Sequence, residues 1–259
     1  MSITAPELSP ANGCAPQPAW RSFGLKQADL EANFRTASRP SLTTLLLTIC
    51  DDAAGEDEQH WFKQSVSRRT LGLLQIVAVT EGLGTLAIDL RCQQANCRES
   101  AFEVSIPLSA LVELQARGEA QGVDSGFRHP TGEDQLRWLS LPRSSQGVEA
   151  MARSLLTTDP SPQWMDQAET VLAEMDPLTS FSVTCACPDC GAQDAHAVDL
   201  EAWALARMQR KQASLIATVH RLAVAYGWTE STIMALPPWR RTAYERLVCA
   251  ADEEQGGGW

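Results

Sequence analysis

Between Trp61 and Cys249 the apolar residues recur with regular periods, and the periods predict where helices and strands lie. Leu71, Leu74, Ile76, Val77 and Val79 suit a buried helix. That helix should stop at Glu81-Gly82-Leu83-Gly84, because glycine can take the left-handed conformation that closes a helix. Strict alternation follows. Leu86, Ile88 and Leu90 alternate with Ala87, Asp89 and Arg91, which predicts a strand running into Cys92. A second alternating stretch occupies 101–108, and a helix-like pattern occupies 109–117.

The same order returns later in the chain. Residues 181–187 lead into the Cys187-Pro188-Asp189-Cys190-Gly191 turn, then a short strand over 195–200, then a long helical pattern. Cys97 precedes Leu108, and Cys190 precedes Leu200, by nearly equal spacings, and each leucine leads into a helix. We read this as an internal repeat of strand, cysteine knuckle, strand and helix.

Around the repeat the chain divides into an N-terminal segment, 1–60, the first knuckle half, 61–120, an insert, 121–178, the second half, 179–200, and a C-terminal helical block, 201–259. Prolines 6, 10, 16, 18 and 40 and an acidic stretch over 51–58 make 1–60 read as an irregular acidic arm. Its apolar run, 42–50, fits one strand or a short helix, and Trp20 and Phe23 are placed to dock on a partner or on the body. The insert opens with turn formers and continues with helical stretches around 148–156 and 164–175, separated by Asp159-Pro160-Ser161-Pro162, so an all-helical lobe packed on the ribbon is expected. In the C-terminal block Leu205, Met208, Leu215, Val219, Leu222 and Tyr226 step by three and four, with Gln212 in the one polar slot. Gly227 should end that helix, Thr229 should cap a short one, and Pro237-Pro238 should open the last, which ends in a frayed tail at Trp259.

Charge changes the picture by exclusion. The chain carries 21 basic and 32 acidic side chains, a net charge of −11, and residues 199–259, the least acidic part, only balance seven against seven. A polyphosphate backbone would be repelled, so bulk nucleic-acid binding is disfavoured. The first ten residues have neither a basic nor an apolar leader, which places the chain, as an expectation, in a reducing cytoplasm. There eight cysteines argue for metal rather than disulfides. Cys14, Cys50 and Cys249 are scattered and read as small apolar residues.

Cys187 and Cys190 are the strongest chemical signal. Two thiolates at i and i+3 can chelate one zinc, and Gly191 can turn backbone N–H groups toward the sulfurs. Zinc wants four ligands, and Cys92 and Cys97 occupy the equivalent place in the first copy, although with a wider spacing. The expected site is one structural zinc held by Cys92, Cys97, Cys187 and Cys190, with Cys185 and His196 as reserve ligands read mainly as packing residues. The expected fold class is α+β, mainly helical, with a split four-cysteine zinc ribbon, a helical insert and C-terminal helices. A thioredoxin-like motif would be followed by a helix rather than by Gly191 and a strand, and four cysteines leave no open position for catalysis. The chain contains no P-loop, GxGxxG, GxSxG or HExxH motif, so a non-enzymatic protein is expected.

Four places carry a family likeness: Phe127-Arg128-His129-Pro130-Thr131-Gly132-Glu133-Asp134; Met175-Asp176-Pro177-Leu178; the Cys187 to Gly191 knuckle; and Val219-His220-Arg221-Leu222-Ala223 continuing through Tyr226-Gly227-Trp228-Thr229-Glu230 to Arg240-Arg241-Thr242-Ala243-Tyr244. In these the chain resembles T4-like bacteriophage baseplate proteins of the hub-assembly type and their relatives encoded with contractile injection systems. The likeness spans about 61–249. It implies a role in building a tail baseplate, as a transient assembly chaperone or a permanent subunit, in a bacterial cytoplasm, with baseplate and tail proteins as partners. Tyr226, Trp228, Trp239, Arg240 and Arg241 are the expected partner-binding residues, because Trp, Tyr and Arg concentrate binding energy. The alternative is a zinc-ribbon transcription or nucleic-acid adaptor, against which the charge balance weighs.

Overall fold

The computed structural model describes residues 19–53, 57–94, 97, 101–121, 126–159 and 163–256, the side chains as far as 251. Cys14, the prolines before Trp20, most of the Asp159 to Pro162 turn and the Trp259 tail lie outside them. The class is α+β and mainly helical, with two separate two-stranded antiparallel sheets. The helices are α1 (Arg39–Cys50), α2 (Glu58–Lys63), α3 (Val66–Glu81), α4 (Leu108–Gln121), α5 (Gly132–Trp138), α6 (Ser145–Arg153), α7 (Trp164–Met175), α8 (Leu200–Tyr226), α9 (Glu230–Ala235) and α10 (Pro238–Gly256). Strands β1 (Thr85–Arg91) and β2 (Ala101–Pro107) pair in one hairpin, β3 (Ser182–Ala186) and β4 (Gln193–Ala197) in the other.

Local chemistry sets the ends of the central helix. The Ser65 hydroxyl accepts from the Arg68 N–H and starts α3, and Gly82 ends it at φ 69°, in the left-handed region. Leu73, Leu74, Ile76 and Val77 are fully buried, so α3 has no solvent stripe over that stretch. It touches α1, α4 and α8. The helices that follow the two hairpins therefore both rest on one shared helix, and the repeat appears in space as hairpin, helix, hairpin, helix around α3.

The reading of 1–60 as an irregular arm is corrected by α1. Leu46, Leu47 and Cys50 are fully buried in the main core together with Phe23. Ser38 caps the helix by accepting from the Ser41 N–H, and Pro40 sits in its first turn, where its missing N–H costs nothing. Trp20 docks on the body, its indole N–H donating to Gln75 Oε1 at 2.7 Å and its ring lying over Gly72, where an added Cβ would sit 2.7 Å from Leu47 Cδ2. Gln212, the polar residue in the α8 seam, is buried and its amide donates to the carbonyls of Asp29 and Ala32. The N-terminal segment is thus bonded to α8, which explains why one polar side chain interrupts an apolar series.

The insert differs from a lobe on the ribbon. Its own core holds Phe127, Ala152, Leu155, Ala168 and Met175. Outward, α5 rests on α1 and α2, and α7 rests on α4. Arg69 of α3 explains the seat. It is fully buried, and its guanidinium donates to Pro40 O, Thr44 Oγ1 and Gln135 Oε1, tying α1, α3 and α5 together. Burial without an ion pair among the described residues draws its pKa down to about 10. The Phe127 to Asp134 motif builds the other side: buried Asp134 accepts from Arg128 on both oxygens, from Arg137 and from the Thr131 N–H, which together hold its carboxyl well below the usual range.

Candidate metal centre

Each hairpin carries its cysteines at the tip. β1 delivers Cys92 directly after Arg91, and β3 delivers Cys187 directly after Ala186. The second knuckle closes as a tight turn: the Gly191 N–H donates to Cys187 O and the Cys187 N–H to Ala192 O, both at 2.9 Å. Gly191 stands at φ 71° with open space where a Cβ would be, so the backbone conformation, not crowding, calls for glycine. In the first knuckle the Cys97 N–H donates to Gln94 O at 2.9 Å. The Gln94 amide reaches across to the Asp194 carboxylate of β4 at 3.1 and 3.2 Å, which holds the two tips together.

The four sulfurs meet. Cys92 Sγ lies 3.6 Å from Cys190 Sγ, Cys97 Sγ lies 3.7 Å from Cys187 Sγ, and all four sulfurs lie within 4.8 Å of one another. A regular tetrahedron with ~2.3 Å zinc–sulfur bonds has sulfur–sulfur edges of ~3.8 Å, whereas a disulfide would need ~2.05 Å. Two of the sulfur–sulfur distances lie close to that edge, none exceeds 4.8 Å, and the group could hold a metal ion.

Electrostatics favours thiolate on one side of the cluster. The N–H groups of Cys190 and Asp189 point at the Cys187 sulfur and hold its pKa down to about 7. At Cys92 the Gln94 N–H acts in the same direction, but desolvation and the neighbouring sulfurs of Cys190 and Cys187 outweigh it and push the thiol up. Four crowded sulfurs cannot all be negative without a cation between them, which is the charge a divalent ion supplies.

The reserve ligands lie elsewhere. Cys185 pairs in register with Asp194 and packs against the main core, and the His196 ring is buried edge-on to Phe102 at 5.9 Å. Of the scattered cysteines, Cys50 is buried and its thiol is pushed up to about 12 by desolvation, while Cys249 is exposed and so does not follow the expectation of a buried residue.

The C-terminal block splits. Tyr226 stacks on Trp228 at 4.7 Å, Trp228 meets Tyr244 edge-on at 5.0 Å, and Arg240 lies over Tyr244 and donates to its hydroxyl, a cluster built where α8, α9 and α10 meet. Trp239 is 70% exposed. Arg241, expected beside Arg240 on a contact surface, is instead buried, donating to Gly24 O at 2.8 Å and to Met234 Sδ at 2.9 Å. One helical step separates a solvated guanidinium from a core one, because α10 turns position 241 inward against Gly24 and Met234. The spacing of charged residues alone carries no such signal.

Among the described residues no helix is long and apolar enough to cross a membrane. In comparisons with protein-family models, with curated proteins and with solved structures, nothing matches this chain.

Proposed function

We propose that Cys92, Cys97, Cys187 and Cys190 bind one zinc ion in a closed tetrahedral site, which makes the two hairpins the halves of a split zinc ribbon. The observation that carries this reading is the approach of four sulfurs, contributed by two tips about 90 residues apart in sequence, to edge lengths near those of a zinc tetrathiolate. Four protein ligands leave no open position, so the ion is structural. Cys92 and Cys97 would hold it from the first hairpin and Cys187 and Cys190 from the second. The N–H groups of Gln94, Asp189 and Cys190 would balance the excess negative charge of four thiolates around a divalent ion.

For the whole chain we infer a non-enzymatic role in forming the baseplate of a phage-tail-like contractile injection system, as component or assembly factor in a bacterial cytoplasm, with its incorporation into the particle left to the test. The motif likeness supports it, and the motifs fall at joints of the fold: the 127–134 segment builds the Asp134 centre and the Arg69 seat, and the 175–178 segment lies where Gly118 of α4 lets Pro177 approach. Contact with baseplate or tail proteins is assigned to the C-terminal block, where Trp239 is exposed and exposed Arg240 lies over Tyr244 of the Tyr226, Trp228 and Tyr244 cluster.

The test is capture of partners from cells that assemble the particle, comparing wild type with a Trp239→Ala, Arg240→Ala double variant. Both side chains are exposed, so stability should change by no more than about 0.5 kcal/mol for each. Wild type should capture baseplate or tail proteins, and the variant should stay folded and capture less. Equal capture and equal particle yield would remove this surface from the account, and a wild-type capture without tail components would remove the baseplate reading.

A further inference from the structure

We propose that a cavity between segment 22–25 and helices α8 and α10 binds a small oxyanion of the phosphate class. The cavity measures about 370 Å³, within the range of small-ligand sites. Two cationic side chains, Lys211 and Arg241, line it. Arg241 of α10 is 4% exposed and has no carboxylate at ion-pair distance among the described residues; two of its five N–H donors go to a backbone carbonyl and to a thioether, a weak acceptor. Lys211 of α8 has its Cε 3.6 Å from where a Cβ on Gly24 would lie. Arg241 donates to the carbonyl of that same glycine, so the Lys211 stem and the Arg241 guanidinium both border Gly24.

The neighbouring charges leave that positive character standing. Among the described residues Glu245 is the one acid on the wall, and its carboxylate already accepts from Thr218 Oγ1 at 3.0 Å and pairs with Arg221. Asp29, nearby, is fully buried and satisfied by Arg21 and by the N–H groups of Gly24, Leu25 and Lys26. The other deeply buried arginine of the N-terminal segment, Arg21, has its carboxylate in Asp29, whereas Arg241 has none among the described residues. A buried guanidinium is stable when an anion is brought to it, and its fork suits the oxygens of a phosphate. Burial alone draws the pKa of Arg241 down, which a bound anion would reverse. In a chain of net charge −11, attraction for an anion has to be local, and here two cations face one already paired acid.

The inference stands apart from the metal and baseplate readings. It is tested by titrating the full chain with inorganic phosphate at low ionic strength in a calorimeter, against chloride at matched ionic strength. Wild type should show saturable one-site binding. Lys211→Ala removes an exposed side chain, so its fold should persist, and phosphate should bind about tenfold more weakly, the equivalent of ~1.4 kcal/mol. Arg241→Lys, which keeps a charge but loses the fork, should also weaken binding. Phosphate acting no differently from chloride, or binding Lys211→Ala as tightly as wild type, would overturn the site.

Discussion

Replacing Asp176 by Asn should make the protein more stable at neutral pH and flatten the dependence of its stability on pH. Asp176 closes α7 and is 2% exposed, and neither carboxylate oxygen has a hydrogen-bond partner among the described residues. Desolvation raises its pKa from an ordinary 3.8 to about 6, against the opposing pull of Ser67, His129 and Thr179. The folded pKa lies above the unfolded one, so the native state favours the protonated acid. The corresponding stability is fully present below pH 3.8 and is lost as pH rises through 6. About two units at ~1.36 kcal/mol each give a loss of about 3 kcal/mol above pH 7, of which roughly half falls between pH 5 and 7.5. The assay is urea unfolding of wild type and Asp176→Asn at constant zinc across pH 5 to 7.5, taking the difference so that other titrating groups cancel. The variant should gain on wild type most between about pH 5 and 6.5 and level off above about pH 7. Parallel profiles, or a variant that loses ground toward pH 7.5, would refute the idea that desolvation controls this carboxyl.

Three more perturbations address the frame around the site. Gly132→Ala would put a Cβ 2.4 Å from Arg69 Nη1, a side chain pinned by three acceptors, so urea unfolding should show a loss of about 1–3 kcal/mol. Leu46→Ala, in a fully buried position of α1, should cost about 2–5 kcal/mol, whereas a loosely attached leader would register almost nothing. Cys190→Ser removes one of the four proposed ligands; zinc binding and the protection of hairpin amides against hydrogen exchange should be lost, while amides of α3 stay protected.

The elements with a clean period or a local stop signal were legible in the sequence. Alternation announced β1, Gly82 and Gly227 announced the ends of α3 and α8, and Thr229 announced α9, because each of these signals acts within a few residues. The four cysteines were legible as a set for a different reason: the repeat assigns equivalent places to pairs that lie far apart in sequence. Helix α1 was obscured by its burial. A helix covered on almost every side shows no amphipathic stripe, and its Thr-rich apolar run resembles a strand, although Ser38 and Pro40 carried a usable start signal. What no local pattern expresses is which partner a helix meets. The insert sits on α1, α2 and α4 because Arg69 needs Gln135 and the space over Gly132, and Arg241 is buried because Gly24 and Met234 are there to receive it.

The central claim is a tetrathiolate zinc that joins two hairpins. X-ray absorption at the zinc edge of freshly purified protein, together with elemental analysis, addresses it most directly. The account predicts one zinc per chain with four sulfur neighbours at ~2.3 Å and no nitrogen or oxygen in the first coordination sphere. Metal-free protein with both hairpins folded, or a zinc with a histidine among its ligands, would contradict it.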